Sequence, residues 1–426
     1  MVMPLSSLIA HSSFGDYLWQ EKASVTRAEQ LREVLDCVVD VESIEDLVSG
    51  ISKASMAVRI NPYLLSLIDW RSVKDDPIRR QFLPLASEMT QSHPLLSLDS
   101  LGECEDSPVD GLVHRYPDRA LFLATDRCPV YCRFCTRSYS VGTDTTSVVK
   151  VRASPTNERW KRVFDYLRMT PAIADVVISG GDCVRLKADQ LLEIGTSLMS
   201  IPTIRRIRFA TKGLAVIPMK ITGDRAWTDA LIKLSCIGRT RGVEVSLHTH
   251  FNHPREITPY VVRAANLLFA QGLMVRNQAV LLRGVNDNAT TLTALVKRLG
   301  DLHIHPYYVY LCDPVVGIED MRVDVATACR LEKEVRGYTA GYNMPAFVVD
   351  APGGGGKRLV HSYERYDRDT GLAYYAAPAV KRGRLFVYPD PLHALSPSAR
   401  KRWADPDLSR QMVGSIAHEA GQCEAA

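Results

Sequence analysis

Between about residues 119 and 357 the chain alternates between two rhythms, and this alternation limits what it can fold into more than any other feature. Short runs rich in β-branched or aromatic residues occur at ALFLA (120–124), ADVVIS (174–179), RRIRFA (205–210), VEVSLHT (243–249), MVRNQAVLL (274–282), HPYYVYL (305–311) and AFVV (346–349). Helical periodicity fills the gaps, from Tyr260 to Ala270 with Gly272 beyond, and through Leu292, Leu295, Val296 and Leu299 to Gly300, each with a glycine placed to cap the helix end. Nearly continuous apolar strands alternating with helices predict a parallel sheet, and six or so βα units predict a full or partial barrel. In such a fold the chemistry collects at the C-terminal ends of the strands.

The first hundred residues read as helical instead. Thr26 and Glu29 resemble a capping box, with Leu31, Val34, Leu35 and Val38 following on one face. Beyond residue 357 the pattern weakens into a tail with basic pieces at KRGR (381–384) and ARKRW (399–403). The expected organisation is a helical region over 1–108, the barrel over 109–357 and an extension over 358–426. With 52 Lys and Arg against 48 Asp and Glu in 426 residues, no basic surface suited to nucleic acid is expected. The first residues lack a basic segment followed by a long apolar run, and no run approaches the roughly 18 apolar residues of a membrane span. A cytoplasmic protein without membrane or nucleic-acid partners is therefore expected.

Three of the ten cysteines fall in TDRCPVYCRFCTR, where Cys128, Cys132 and Cys135 follow the first barrel strand. Three thiolates are one short of a closed tetrahedral zinc site, whereas a four-iron cluster held by three thiolates keeps one iron open to an outside ligand. A structural zinc with a fourth ligand from elsewhere, or three unrelated buried thiols, fits the spacing as well. Ser179-Gly180-Gly181-Asp182 ends a strand, where glycines admit a close ligand and the carboxylate can receive an ammonium, although a strand-ending glycine pair is most often a turn. Four glycines, Gly353 to Gly356, precede Lys357; they read as a flexible tether for an amine suited to Schiff-base chemistry, given a lowered pKa. Asp313 and Asp350 each follow a strand, and a buried carboxylate pair is tolerable when a cation lies between the two.

The C-x3-C-x2-C loop resembles that of the radical S-adenosylmethionine enzymes. Its frame of Tyr131, Arg133, Thr136 and Arg137 is similar to the lysine 2,3-aminomutase family, as are HRYPDR (114–119), SGGD (179–182), THFNHP (249–254), NQAVLLRGVND (277–287), PYYVYLCD (306–313) and FVVDAPGGGGK (347–357). The resemblance runs from about Pro62 to Lys357. It implies a partial (β/α)6 radical-SAM barrel in which Cys128, Cys132 and Cys135 hold a 4Fe-4S cluster. Ser179, Gly180, Gly181, Asp182, His250 and Gln278 would hold S-adenosyl-L-methionine. Lys357 would bind pyridoxal 5'-phosphate covalently, with Arg115 and Arg119 on its phosphate. Arg137 would receive the substrate α-carboxylate, and Asp313 and Asp350 a cationic side chain.

The implied activity is a 2,3-aminomutase that turns a basic L-α-amino acid into its β-isomer, L-lysine to β-lysine, with L-arginine to β-arginine as the alternative. A reductant such as flavodoxin or ferredoxin is implied with it. A different class, a non-catalytic metal-binding scaffold, would keep the cysteines without the chemistry. The sequence also departs from the family. Asn288 follows Asp287 where the family's structural zinc has a cysteine, and the tail holds only Cys423, so that zinc site is expected to be absent from any homo-oligomer. Phe134 stands where the family usually has histidine, followed by SYSVG, and Gly317 to Met321 differs as well.

Overall fold

The computed structural model describes residues 3–151 and 156–422, with side chains to 416; Cys423 lies outside the described residues. Nine strands form one sheet in sequence order: β1 (Leu112–Tyr116), β2 (Arg119–Thr125), β3 (Asp175–Gly180), β4 (Arg206–Ala210), β5 (Glu244–Thr249), β6 (Met274–Leu281), β7 (Ile304–Leu311), β8 (Ala346–Ala351) and β9 (Gly356–Leu359). The seven strands β2 to β8 run parallel, and β1 and β9 are antiparallel flanks at the two open edges. Helices such as Asn157–Met169, Ala188–Met199, Arg225–Arg241 and Pro259–Ala270 return the chain between strands and bury Val163, Leu191, Leu231 and Val261 against the sheet. All seven strands expected from the alternation are present. The fold is the partial barrel, with two flanking strands that periodicity did not disclose.

Several local expectations need correction. The first-region helix stops at Leu35, so Leu31, Val34 and Leu35 are buried but Val38 is exposed. Its N-terminus is closed by Gln30, whose Oε1 accepts from the Thr26 and Arg27 amides, and not by the Thr26–Glu29 box. Gly272 is left-handed as expected (φ 68°), but Gly300 lies inside the helix Ala289–Asp301. Here the left-handed residue is His303 (φ 58°), and Gly300 is small because a Cβ would meet the Asn343 amide at 2.7 Å.

The N-terminal helices share one continuous core with the barrel, joining Leu31, Leu47 and Leu64 to Val176 and Leu247. Asn61 caps the helix Pro62–Leu67 and donates from Nδ2 to the Val216 carbonyl, binding this layer to the barrel. Past β9 the chain forms a three-stranded antiparallel sheet, β10 (Arg365–Asp367), β11 (Leu372–Ala376) and β12 (Leu385–Pro389), followed by helices Pro397–Ala404 and Pro406–Gln422. This extension braces the segment after β7: Tyr388 donates to the Cys312 carbonyl, the Leu392 amide to Glu319, and Arg322 to the Pro389 carbonyl. Among the described residues no helix is long and apolar enough to cross a membrane.

Candidate active site

The cysteine loop leaves β2 and is pinned along its length. The Tyr131 amide donates to Arg59, the Arg133 amide to Gln81 and the Asp182 amide to Arg127, while Arg59 Nε holds the Pro129 carbonyl. Cys128, Cys132 and Cys135 line one wall of a cavity of about 580 Å³ at the barrel mouth. Burial pushes all three thiols up, Cys132 to about 12, so they are neutral until a metal claims their protons. Among the described residues no three His, Cys, Asp or Glu side chains are gathered to grip a single ion. Three sulfur donors on one loop, open to one cavity, fit an iron–sulfur cluster with an open iron better than a lone tetrahedral zinc.

Beside this wall, the β3 end supplies Ser179, Gly180, Gly181 and Asp182. The glycines are required by the protein itself: Gly180 has φ 114°, a Cβ there would meet the Thr125 carbonyl at 2.1 Å, and one on Gly181 would meet the Arg127 carbonyl at 2.4 Å. Asp182 likewise has internal work, accepting from the Val184 and Lys212 amides and so tying the β3 exit to the β4 exit. Burial raises its pKa against these bonds. His250 also lines the cavity; burial and then Lys212 hold it well below its usual pKa, so it is a neutral hydrogen-bonding group, with Nε2 3.0 Å from Asn252 Oδ1. Gln278 accepts from Tyr307 across the same space.

Lys357 is not on a loose tether. It sits on β9, directly across from Asp350 on β8, and its amide donates to Tyr116 Oη. The glycines before it make a tight hairpin: the Gly355 amide donates to the Ala351 carbonyl, and Cβ atoms on Gly355 and Gly356 would strike Phe386 and Tyr116. The expectation of a lowered Lys357 pKa is also overturned. Burial opposes the charge, but Asp350, 3.1 Å from Nζ, together with Tyr310 and Tyr116 outweighs it and raises the pKa. The other Asp350 oxygen, Oδ1, is buried without a hydrogen-bond partner, with Arg115 Nη1 3.7 Å away. Asp313 accepts from Thr136 Oγ1 at 2.5 Å, and burial followed by the Asp350 charge pushes its carboxyl up to about 7.

Arg137 is gripped through Nε and Nη2 by buried Glu103 (2.8 and 2.6 Å), which Tyr139 also approaches at 2.9 Å. Glu103 carries no motif or periodic signal; only its place before the HRYPDR block marks it. Arg115 is committed to Asp106 and the Leu101 carbonyl, whereas Arg119 lies over the Tyr116 ring at the start of β2; both line the cavity. Phe134 packs with Ile318 and Met321 in a small core behind the cavity, beside His250. Three of the residues that depart from the family, Phe134, Ile318 and Met321, thus share one small core.

Parallel strands around one cavity, with three thiols on the first strand-to-helix loop, are the arrangement expected of a radical S-adenosylmethionine enzyme, and the relatives assign the chain to that class. A family profile described as lysine-2,3-aminomutase matches residues 332–363. L-lysine 2,3-aminomutase of Fusobacterium nucleatum is 38% identical over 83% of this chain and 77% of its own length. The enzyme of the same name from Clostridium subterminale is 38% identical over 83% and 79%. Glutamate 2,3-aminomutase of Clostridioides difficile is 31% identical over 81% and 76%. The chain belongs to the lysine 2,3-aminomutase family, which uses a 4Fe-4S cluster, S-adenosyl-L-methionine and pyridoxal phosphate.

Proposed function

We propose that this protein converts L-lysine to β-lysine by moving the amino group from Cα to Cβ. The observation that carries the proposal is the buried Asp350 Oδ1, without a hydrogen-bond donor, in the same cavity as Asp313. Arg115 lies 3.7 Å from this oxygen but donates no hydrogen bond to it, so the position of a close donor is open to an incoming ammonium. Lys357 shows that an alkylammonium fits against the other oxygen of the same carboxylate. Gly317 to Met321, the segment that differs from the family, does not line the cavity, so nothing there favours guanidinium over ammonium.

Cys128, Cys132 and Cys135 would hold the cluster, the β3 end with His250 and Gln278 the S-adenosyl-L-methionine, and Lys357 the pyridoxal phosphate. When bound, these groups supply hydrogen abstraction from an unactivated carbon and a π-system to carry the migrating nitrogen, which no side chain can do. The chain's own residues bind and orient. Asp313 and Asp350 seat the side-chain ammonium, and Thr136 fixes the direction of the Asp313 carboxylate. Glu103 holds Arg137 so that its remaining N–H edge is presented to the α-carboxylate, and the spacing of the two ends selects substrate length. An ammonium arriving at Asp350 competes with Lys357 for it, which loosens the Lys357 proton as the substrate enters. The barrel walls around the cavity shield the reacting carbons from bulk water.

The setting is read as cytoplasmic, with electrons from a flavodoxin- or ferredoxin-type reductant and any homo-oligomer formed without the family's zinc. The test is anaerobic incubation of the reconstituted protein with S-adenosyl-L-methionine, reductant and L-lysine, L-arginine or L-glutamate in turn. β-Lysine is expected; β-arginine alone would move the assignment to the arginine enzyme. No β-isomer, with a colourless protein carrying one zinc, would leave the non-catalytic scaffold.

A further inference from the structure

The cavity does not end beneath Lys357. It continues down the inside of the barrel to the N-terminal ends of the strands, where Arg119, Arg206, Arg208 and Arg276 line it against only two carboxylates, Asp175 and Glu244. The strand register stacks them: Arg119 opposite Asp175, Asp175 opposite Arg206, Arg206 opposite Glu244. Barrel interiors of this kind are ordinarily filled by layers of branched apolar side chains, so a charged floor calls for a reason.

The local pairing does not consume these charges. Arg206 and Arg208 each spend Nε on the same carboxylate, Asp175, at 3.0 and 2.8 Å, and make no further hydrogen bond among the described residues. Arg276 reaches Glu244 at 2.5 Å and Ser246 at 3.3 Å through Nη1 alone. With Asp118 3.6 Å from Arg119 at the rim, four guanidiniums stand against three carboxylates, and the floor keeps a net positive charge. Arg208 and Arg276 are the sheltered members, with side chains 19% and 24% exposed. Tyr307, whose hydroxyl is bonded to Gln278 and His248, lines the same cavity as these two arginines and Lys357. Arg115, by contrast, is occupied by Asp106 and the Leu101 carbonyl.

We infer that the barrel floor is an anion subsite built by Arg208 and Arg276, with Arg119 at its rim, and that it takes the phosphate group of pyridoxal phosphate attached at Lys357. This rests on the reading of Lys357 given above. Guanidinium suits the task because its forked donors match phosphate oxygens and its charge is permanent.

The test compares wild type with Arg208→Gln and Arg276→Gln for three probes: pyridoxal phosphate, pyridoxal without the phosphate, and inorganic phosphate. Attachment of the two aldehydes is read by borohydride trapping and the mass of the Lys357 peptide, and inorganic phosphate by calorimetry. Each variant should lose about tenfold to a hundredfold in pyridoxal phosphate affinity, as expected for removing a charge-assisted bond, while pyridoxal attaches as in wild type. Inorganic phosphate should bind wild type, displace pyridoxal phosphate and lose its hold in the variants. Equal loss of both aldehydes, or no loss of either, overturns the inference. If wild type attaches neither aldehyde, the reading of Lys357 falls, and inorganic phosphate alone decides the floor: binding lost in the variants sustains the anion subsite, whereas absent or unchanged binding removes it.

Discussion

The ammonium of Lys357 sits 3.1 Å from Asp350 Oδ2, on the residue directly opposite it across the β8–β9 pair. The pairing resolves a tension in the chemistry. A lysine that must react as a free amine is held charged, burial opposing that charge but Asp350, with Tyr310 and Tyr116, overcoming it. The same aspartate is the seat proposed for the substrate ammonium. Lys357 and the substrate therefore compete for one carboxylate, and the reactive amine is freed where the substrate has arrived.

Asp350→Asn follows directly. It removes the first of the groups that raise the Lys357 pKa and leaves burial, which lowers it, so the amine becomes neutral at lower pH. The rate of pyridoxal phosphate attachment, followed from pH 6 to 10, should shift its midpoint down by about one unit or more. L-Lysine binding should weaken in the same variant. An unshifted midpoint would mean that the contact does not control the amine.

Asp313 gives a pH dependence of its own. Its folded pKa, pushed up to about 7 by burial and Asp350, lies above its ordinary 3.8, so the folded state favours the protonated carboxyl. Without ligand, stability contributed by this group is present below about pH 4 and is lost as pH rises through 7. Cation binding runs the other way, since an incoming ammonium favours the carboxylate. Below pH 7 lysine binding should release a proton, seen by calorimetry in buffers of differing ionisation enthalpy, and affinity should rise from pH 5.5 to 7.5. Asp313→Asn should abolish that proton release and make ligand-free protein more stable than wild type at pH 8. Proton release that persists in the variant would place the titration elsewhere.

The barrel was legible in the sequence because its strands are buried on both faces and read as apolar runs, as at DVVISG and EVSLHT. β1 and β9 were not, since LVHRY and GKRL are edge strands with little apolar content, held by long-range pairing. The site residues were legible where a motif carries them. The cysteines, Asp313, Asp350 and Lys357 do line one cavity. Their coupling was not, because it depends on distance across the fold: Glu103 meets Arg137 from 34 residues away, and Arg133 meets Asp320 from 187. The hairpin around Lys357 was misread as flexible because four glycines look alike whether they confer freedom or admit Phe386 and Tyr116 at close range.

Arg133, between the second and third cysteines, is bound by both Asp320 oxygens at 3.0 and 3.1 Å, and both side chains are buried. The pair joins the cysteine loop to the segment after Asp313, and the two also share a small core containing Phe134, Ile318 and Met321. Asp320→Ala leaves a buried guanidinium unpaired and should cost about 3–5 kcal/mol by urea unfolding. Iron retention after anaerobic reconstitution should fall with it. The double variant Arg133→Met with Asp320→Leu should recover most of the stability, because removing both charges removes the unpaired one. If the single and double variants lose equally, the pair is not what holds the loop.

Gly180 is the backbone counterpart of that clamp. Its φ of 114° is a conformation L side chains rarely adopt, and an added Cβ would lie 2.1 Å from the Thr125 carbonyl, which already accepts from the Gly181 amide at 2.5 Å. Thr125 is the last residue of β2, fixed by its ladder to β3, so relief must come from the cysteine loop that follows it. Gly180→Ala should cost at least about 1–3 kcal/mol from the backbone conformation alone. It should also lower iron and sulfide per chain, whereas the neighbouring Ser179→Ala, with no such contact, should keep both. Circular dichroism separates local from global loss: a folded Gly180→Ala chain depleted of iron is expected, and one that retains its full iron would show that the β2 and β3 exits do not need this glycine to hold the cysteine loop in place.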